Sequence, residues 1–86
     1  MTAPNKYKNF TASNLVKTGA GVLEGMYVNS TTAGTIQLWD NTSGATTLIN
    51  NTITPAVGYH CLGKIAFNTG LYATVGGTMD VTLYYE

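Results

Sequence analysis

Eighty-six residues with a formal net charge of zero make one small domain, and only 9% of its side chains are charged. Four lysines, no arginine and a pI near 6.5 provide no basic surface, so nucleic acid is not expected as a direct partner. Cys61 is the one cysteine, which excludes an intrachain disulfide, and with His60 it supplies too few ligands for a structural zinc; no metal or cofactor is expected.

Residues 1–12 lack periodicity and hold Pro4, Lys6, Lys8, Tyr7 and Phe10. They read as an extended N-terminal arm that docks onto a neighbour through Tyr7 and Phe10, ahead of a β-sandwich domain over residues 13–86. A first short strand is expected over 13–17 and a turn over 18–21. The strand over 22–29 is expected to alternate, with Val22, Glu24, Met26 and Val28 on one face and Leu23, Gly25, Tyr27 and Asn29 on the other. Gly25 in its middle predicts a bulge or the close approach of another backbone.

A loop of small residues over 30–34 precedes a strand over 35–40, in which Ile36 and Leu38 alternate with Thr35, Gln37 and Trp39. The turn residues over 40–44 predict a hairpin into a strand over 46–52. Pro55 ends that run. Short strands follow over 59–62, 63–67, 71–75 and 79–85, and Gly76-Gly77 reads as a two-residue turn between the last two. No window has a helical period. The class is all-β: an antiparallel β-sandwich or jelly-roll-like barrel of about seven to eight short strands.

Catalytic signals are absent from the pattern. His60 and Cys61 are neighbours on one strand and point to opposite faces, which disfavours a dyad and suits a core cysteine beside a surface or interface histidine. Nothing in the sequence brings Glu24 and Asp80 together as a glycosidase pair. Gly19, Gly21, Gly76 and Gly77 lack the lysine and following helix of a phosphate loop. The chain is not expected to be an enzyme. Trp39 and Tyr59, with the other strand tyrosines, are candidate anchors for a partner.

A chain this short buries only roughly 60% of its unfolded surface, so oligomerisation is the expected further source of stability. Fifteen threonines and eight asparagines form sheet faces that can meet another subunit at small desolvation cost. The first residues have no apolar stretch of a secretory signal, and no run approaches a membrane-spanning length, so a cytosolic origin and no membrane partner are expected.

Four stretches carry a resemblance: LVKTGAGVLEGMYVNS over 15–30, GTIQLWDNTSG over 34–44, NTITPAVGYHCL over 51–62 and FNTGLYATVGGTMDVTLYY over 67–85. Together they resemble small virion structural proteins of tailed bacteriophages. The resemblance implies a β-sandwich subunit that assembles as a homotrimer on the outer capsid surface. There it would serve as a decoration or cement protein, bound to the major capsid protein and stabilising the shell. Tyr7, Phe10, Trp39 and Tyr59 are the residues expected to meet partners, with residues 1–11 reaching adjacent capsid subunits. Two alternatives are a structural module of the tail, collar or head fibre, and a carbohydrate-binding sandwich that uses Trp39 and neighbouring tyrosines.

Overall fold

Extended chain is favoured wherever threonine, valine, isoleucine and tyrosine recur, because branched and aromatic side chains pack well on a pleated surface. A computed structural model describes residues 6–86 and arranges them as six antiparallel strands. They are β1 (Lys6–Phe10), β2 (Asn14–Thr18), β3 (Gly21–Trp39), β4 (Leu48–Ile53), β5 (Gly58–Phe67) and β6 (Gly70–Tyr85). The all-β class read from the sequence holds, and the fold is a small sandwich.

Its backbone is a long antiparallel ribbon of β3 and β6, paired from Leu23↔Tyr85 to Trp39↔Tyr72. The ribbon bends in the middle and contributes to both sheets. In the first sheet, β1 and β5 flank its outer half, where residues 81–85 of β6 pair with β1 and residues 21–28 of β3 pair with β5. In the second sheet, β2 pairs with residues 70–73 of β6 and β4 pairs with residues 36–39 of β3. The six strands thus yield eight segments across two sheets. That is why short strands were legible while their continuity was not.

The loop expected over 30–34 and the turn expected at Gly76-Gly77 are both corrected by this ribbon. They lie opposite each other within continuous strands and together make the bend. Between Thr32↔Thr78 and Thr35↔Gly76 the register shifts, so Ala33 and Gly34 form a bulge on β3. The Gly34 amide donates to Thr31 Oγ1 at 3.0 Å, closing the bulge. Ala33 and Gly77 both adopt left-handed φ, at 53° and 68°. Locally, a glycine pair between strands looks like a hairpin turn. Its flanks instead pair with β3, and the glycine supplies the bend.

The core is one cluster drawn from both sheets. Leu23, Met26, Val28, Val81, Leu83 and Phe67 come from the first, Ile36, Leu38, Leu71 and Ala73 from the second, and Met79 lies near the bend. The expected alternation over 35–40 and 79–85 is observed. Over 22–29 it is corrected. The register shifts between Leu23 and Gly25 against both neighbouring strands, making Glu24 a bulge. Leu23 therefore joins Met26 and Val28 in the core instead of opposing them.

The expected N-terminal arm is also corrected over its described part. Residues 6–10 are β1, paired with β6 from Lys6↔Tyr85 to Phe10↔Val81. Phe10 is buried in its own subunit's core, with 5% of its surface left. The physical reason is that Tyr85, Leu83 and Val81 leave an open ladder along β6, and β1 completes it. Residues 1–5 of the expected arm lie outside the described residues.

Asp40, just beyond β3, fastens the connection between β5 and β6. Its Oδ1 accepts from the amides of Thr69 at 2.8 Å, Asn68 at 3.0 Å and Gly70 at 3.4 Å, and Oδ2 also accepts from Asn68 at 3.0 Å. The amides of Thr69 and Asn68, followed by Gly70, hold its carboxyl below the usual aspartate range, against a smaller opposing effect of burial. Asp40→Ala is expected to lower stability at neutral pH by about 1–2 kcal/mol, limited because these amides are near solvent. Because the folded pKa is depressed, the contribution is complete above the unfolded value of about 3.9 and is lost as pH falls through the lower folded value. Denaturation of wild type and variant at stepped pH checks this: the gap should close below about pH 4, and a gap that widens on acidification contradicts the clamp.

Candidate functional site: a tyrosine face on the first sheet

Side chains on paired residues of neighbouring strands lie side by side on one face, about 5 Å apart, so register alone sets which residues meet. On the outer face of the first sheet one row runs Tyr7, Tyr84, Gly25, Cys61 from β1 to β5. The next runs Asn9, Thr82, Tyr27, Tyr59. Four of the six tyrosines are gathered here from four different strands. Tyr7 and Tyr59 remain 71% and 54% exposed, Tyr27 is exposed, and Tyr84 is half-buried between them.

Gly25 organises the face. A Cβ at this position would meet the Tyr59 ring, 2.8 Å from its Cζ, and the His60 carbonyl at 2.9 Å. With no side chain there, Tyr59 lies over the β3 backbone and leans toward Tyr84, ring centroids 6.1 Å apart and planes inclined at 48°. Of the alternatives expected of Gly25, a bulge or the close approach of another backbone, both occur: the bulge at Glu24 precedes it and the His60 carbonyl comes close. Tyr59 thus presents the side of its ring away from the sheet to solvent.

A polar cluster adjoins the aromatic one. Asn9 Nδ2 donates to Asp80 Oδ1 at 2.6 Å, to Thr82 Oγ1 at 3.1 Å and to the Val81 carbonyl at 3.2 Å. Asn29 Nδ2 donates to the same Asp80 Oδ1 at 3.2 Å and to Thr82 Oγ1 at 3.3 Å. Two amides from β1 and β3 therefore grip one carboxylate on β6. Among the described residues, Asp80 Oδ2 and the side-chain carbonyl oxygens of Asn9 and Asn29 make no hydrogen bond.

The other expected anchors lie elsewhere. Trp39 is on the second sheet, half-buried, with its indole N–H donating to Thr74 Oγ1 at 3.0 Å. The loop after β3 returns over it, so that a Cβ on Gly44 would stand 3.4 Å from Trp39 Nε1 and 3.5 Å from the Tyr72 ring. Phe10 is in the core. Of the four residues expected to meet partners, Tyr7 and Tyr59 share the face, Trp39 lies beneath its own loop, and Phe10 is internal.

Tyr27 and Tyr84 complete the face; they were among the strand tyrosines expected as anchors, but nothing in the sequence set them beside Tyr7 and Tyr59. The alternation in β6 did set Tyr84 opposite Leu83 and Tyr85; the phase of Tyr27 was obscured by the bulge at Glu24. Cys61 is exposed, contrary to the expectation of a core thiol. The packing of Leu62 and Ile65 against the core sets the phase of β5, which turns Tyr59 and Cys61 outward. His60 Nε2 lies 2.8 Å from the Ala56 carbonyl, so that nitrogen carries the proton and donates.

Glu24 and Asp80 have separate partners. Glu24 sits with Glu86 and with Lys64, whose Nζ is 3.4 Å from its carboxylate and 3.9 Å from that of Glu86. Glu86, ahead of Lys64, holds the Glu24 carboxyl below the usual glutamate range, and the neighbouring Glu24 in turn pushes Glu86 above it. Among the described residues the surface carries no pocket, and the candidate site is an open face. Comparison with protein-family models, with curated proteins and with solved structures returns no match for this chain.

Proposed function

We propose that the chain is a non-enzymatic virion structural subunit of tailed-bacteriophage type, a decoration protein that assembles as a homotrimer on the outside of the head and binds the major capsid protein. One observation carries the assembly part of this reading. From Asn41 to Gly63 the chain holds no Asp, Glu, Lys or Arg. That stretch includes β4, the free edge of the second sheet, and the connection to β5. Leu48, Ile53 and Val57 are exposed there, Val57 by 60%.

The other three edges are defended. Lys6 and Lys8 lie on β1, Lys17 on β2 and Lys64 on β5, the last in a left-handed conformation at φ 54°. Lysines and local distortions on edge strands oppose pairing with another chain. The edge without them is the one suited to a neighbour. A subunit that binds the assembled shell and not its free components stabilises the shell by mass action, which is how such a protein would act as cement.

The solution state and the partner are both testable. Light scattering is expected to return three times the 9.1 kDa subunit mass. Ile53→Lys places an unpaired charge in the interface and should raise the concentration needed for assembly by about tenfold or more. A wild-type chain that is monomeric throughout would sink the trimer. Undecorated phage heads incubated with the protein should bind it and resist thermal rupture; heads that neither bind it nor gain resistance would sink the capsid role.

A further inference from the structure

We infer that the tyrosine face of the first sheet is a binding platform for a neutral saccharide. The chemistry of the two adjoining clusters specifies the ligand. Tyr59 lies over Gly25 with its free side toward solvent, Tyr84 and Tyr27 adjoin it, and Tyr7 extends the row beyond Tyr84. An apolar sugar face, with its axial C–H groups, packs on such a ring. Beside it, Asp80 Oδ2 and the carbonyl oxygens of Asn9 and Asn29 are acceptors that have no partner among the described residues. They are pre-oriented, because both amide nitrogens are committed to Asp80 Oδ1. A ligand with hydroxyl donors along one side and a flat apolar face on the other matches both clusters at once.

Charge and symmetry select against other occupants. The charged group of the platform is the Asp80 carboxylate, which repels phosphodiester, sulfated and sialylated ligands. A second copy apposed about a twofold axis would set the same acceptors against each other and bury them unpaired. A neutral saccharide brings donors. This inference stands apart from the assembly reading, since the platform is on the first sheet and the uncharged edge is on the second.

The test is a titration of the unaltered protein with neutral gluco-, galacto-, manno- and N-acetylhexosamine tetrasaccharides at millimolar concentration, followed by nuclear magnetic resonance. A saturable shift of the Tyr59 ring and of the Asn9 and Asn29 side-chain amides is expected with at least one of them. Tyr59→Ala and Asp80→Asn should each weaken that affinity by about tenfold. Tyr7→Ala, at the most exposed tyrosine, supplies a second variant should either of these fail to fold. A sialylated counterpart of the bound sugar should bind more weakly.

Absence of a saturable shift with every sugar would overturn the inference. So would shifts confined to Trp39 and Tyr72, or undiminished binding by Tyr59→Ala. Shifts of the same resonances on raising protein concentration without sugar would assign the face to a second copy, which also overturns it. Ile53→Lys should leave sugar binding unchanged, so loss of assembly and loss of the platform are distinguished.

Discussion

Phe67→Ala is expected to lose about 3–5 kcal/mol of unfolding free energy, the cost of deleting a fully buried aromatic ring. A domain of this size has about 4–13 kcal/mol in total, so the loss is a large fraction of its stability. Phe67 retains 1% of its surface and belongs to the cluster that joins the two sheets. Its ring lies so close to Gly21 that a Cβ there would stand 2.7 Å from Cζ. It also ends β5, immediately before the amides that Asp40 fastens. Collapse around the lost ring is therefore resisted by β3 on one side and by the Asp40 fastening behind β5, and the cavity remains. Denaturant titration should show a lower midpoint with little change in slope. A loss below about 1 kcal/mol would mean that the ring is not part of the core.

Gly77→Val should cost about 3 kcal/mol or more, from two additive sources. The backbone at Gly77 is left-handed, at φ 68°, which a branched side chain tolerates poorly. A Cβ there would also collide with the Ala33 carbonyl and stand 3.2 Å from Gly34 Cα, both on the opposing bend of β3. Neither bend can retreat without breaking the ribbon that carries both sheets. Gly76→Ala is the matched control. Its Cβ would meet Thr35 Oγ1 at 2.6 Å, the movable end of a side chain, so a loss below about 1 kcal/mol is expected. Equal stability of Gly77→Val and wild type would show that the two bends are not packed together.

The two variants probe different kinds of information. Much of the core around Phe67 was legible because alternation along a strand directly encodes which side chains are buried: Ile36 with Leu38, and Val81 with Leu83, needed no knowledge of partners. The bend was illegible for the opposite reason. Thr31 to Gly34 and Gly76-Gly77 are each ordinary turn sequences, and only their pairing across 45 residues of chain makes them one feature. The same holds for β1, whose five residues have no periodicity of their own and become a strand because β6 leaves a ladder open.

The candidate face divides in the same way. Tyr7 and Tyr59 could be proposed from residue type, and Gly25 from its place in mid-strand. That they share one surface with Tyr84 and Tyr27, beside Asn9, Asn29 and Asp80, depends on the order of four strands and on the bulge at Glu24. Trp39 shows the reverse case: the most conspicuous aromatic residue is taken up by its own loop.

By itself, then, the sequence determined an all-β domain, its buried alternation, its turn-forming positions and its uncharged character, because each is written in the spacing and type of adjacent residues. Tertiary structure decided the bent ribbon, the capture of residues 6–10 as an edge strand and the gathering of the tyrosines. Each of these depends on hydrogen-bonded register between distant segments, and a shift of one residue in register turns every side chain of a strand to the other face.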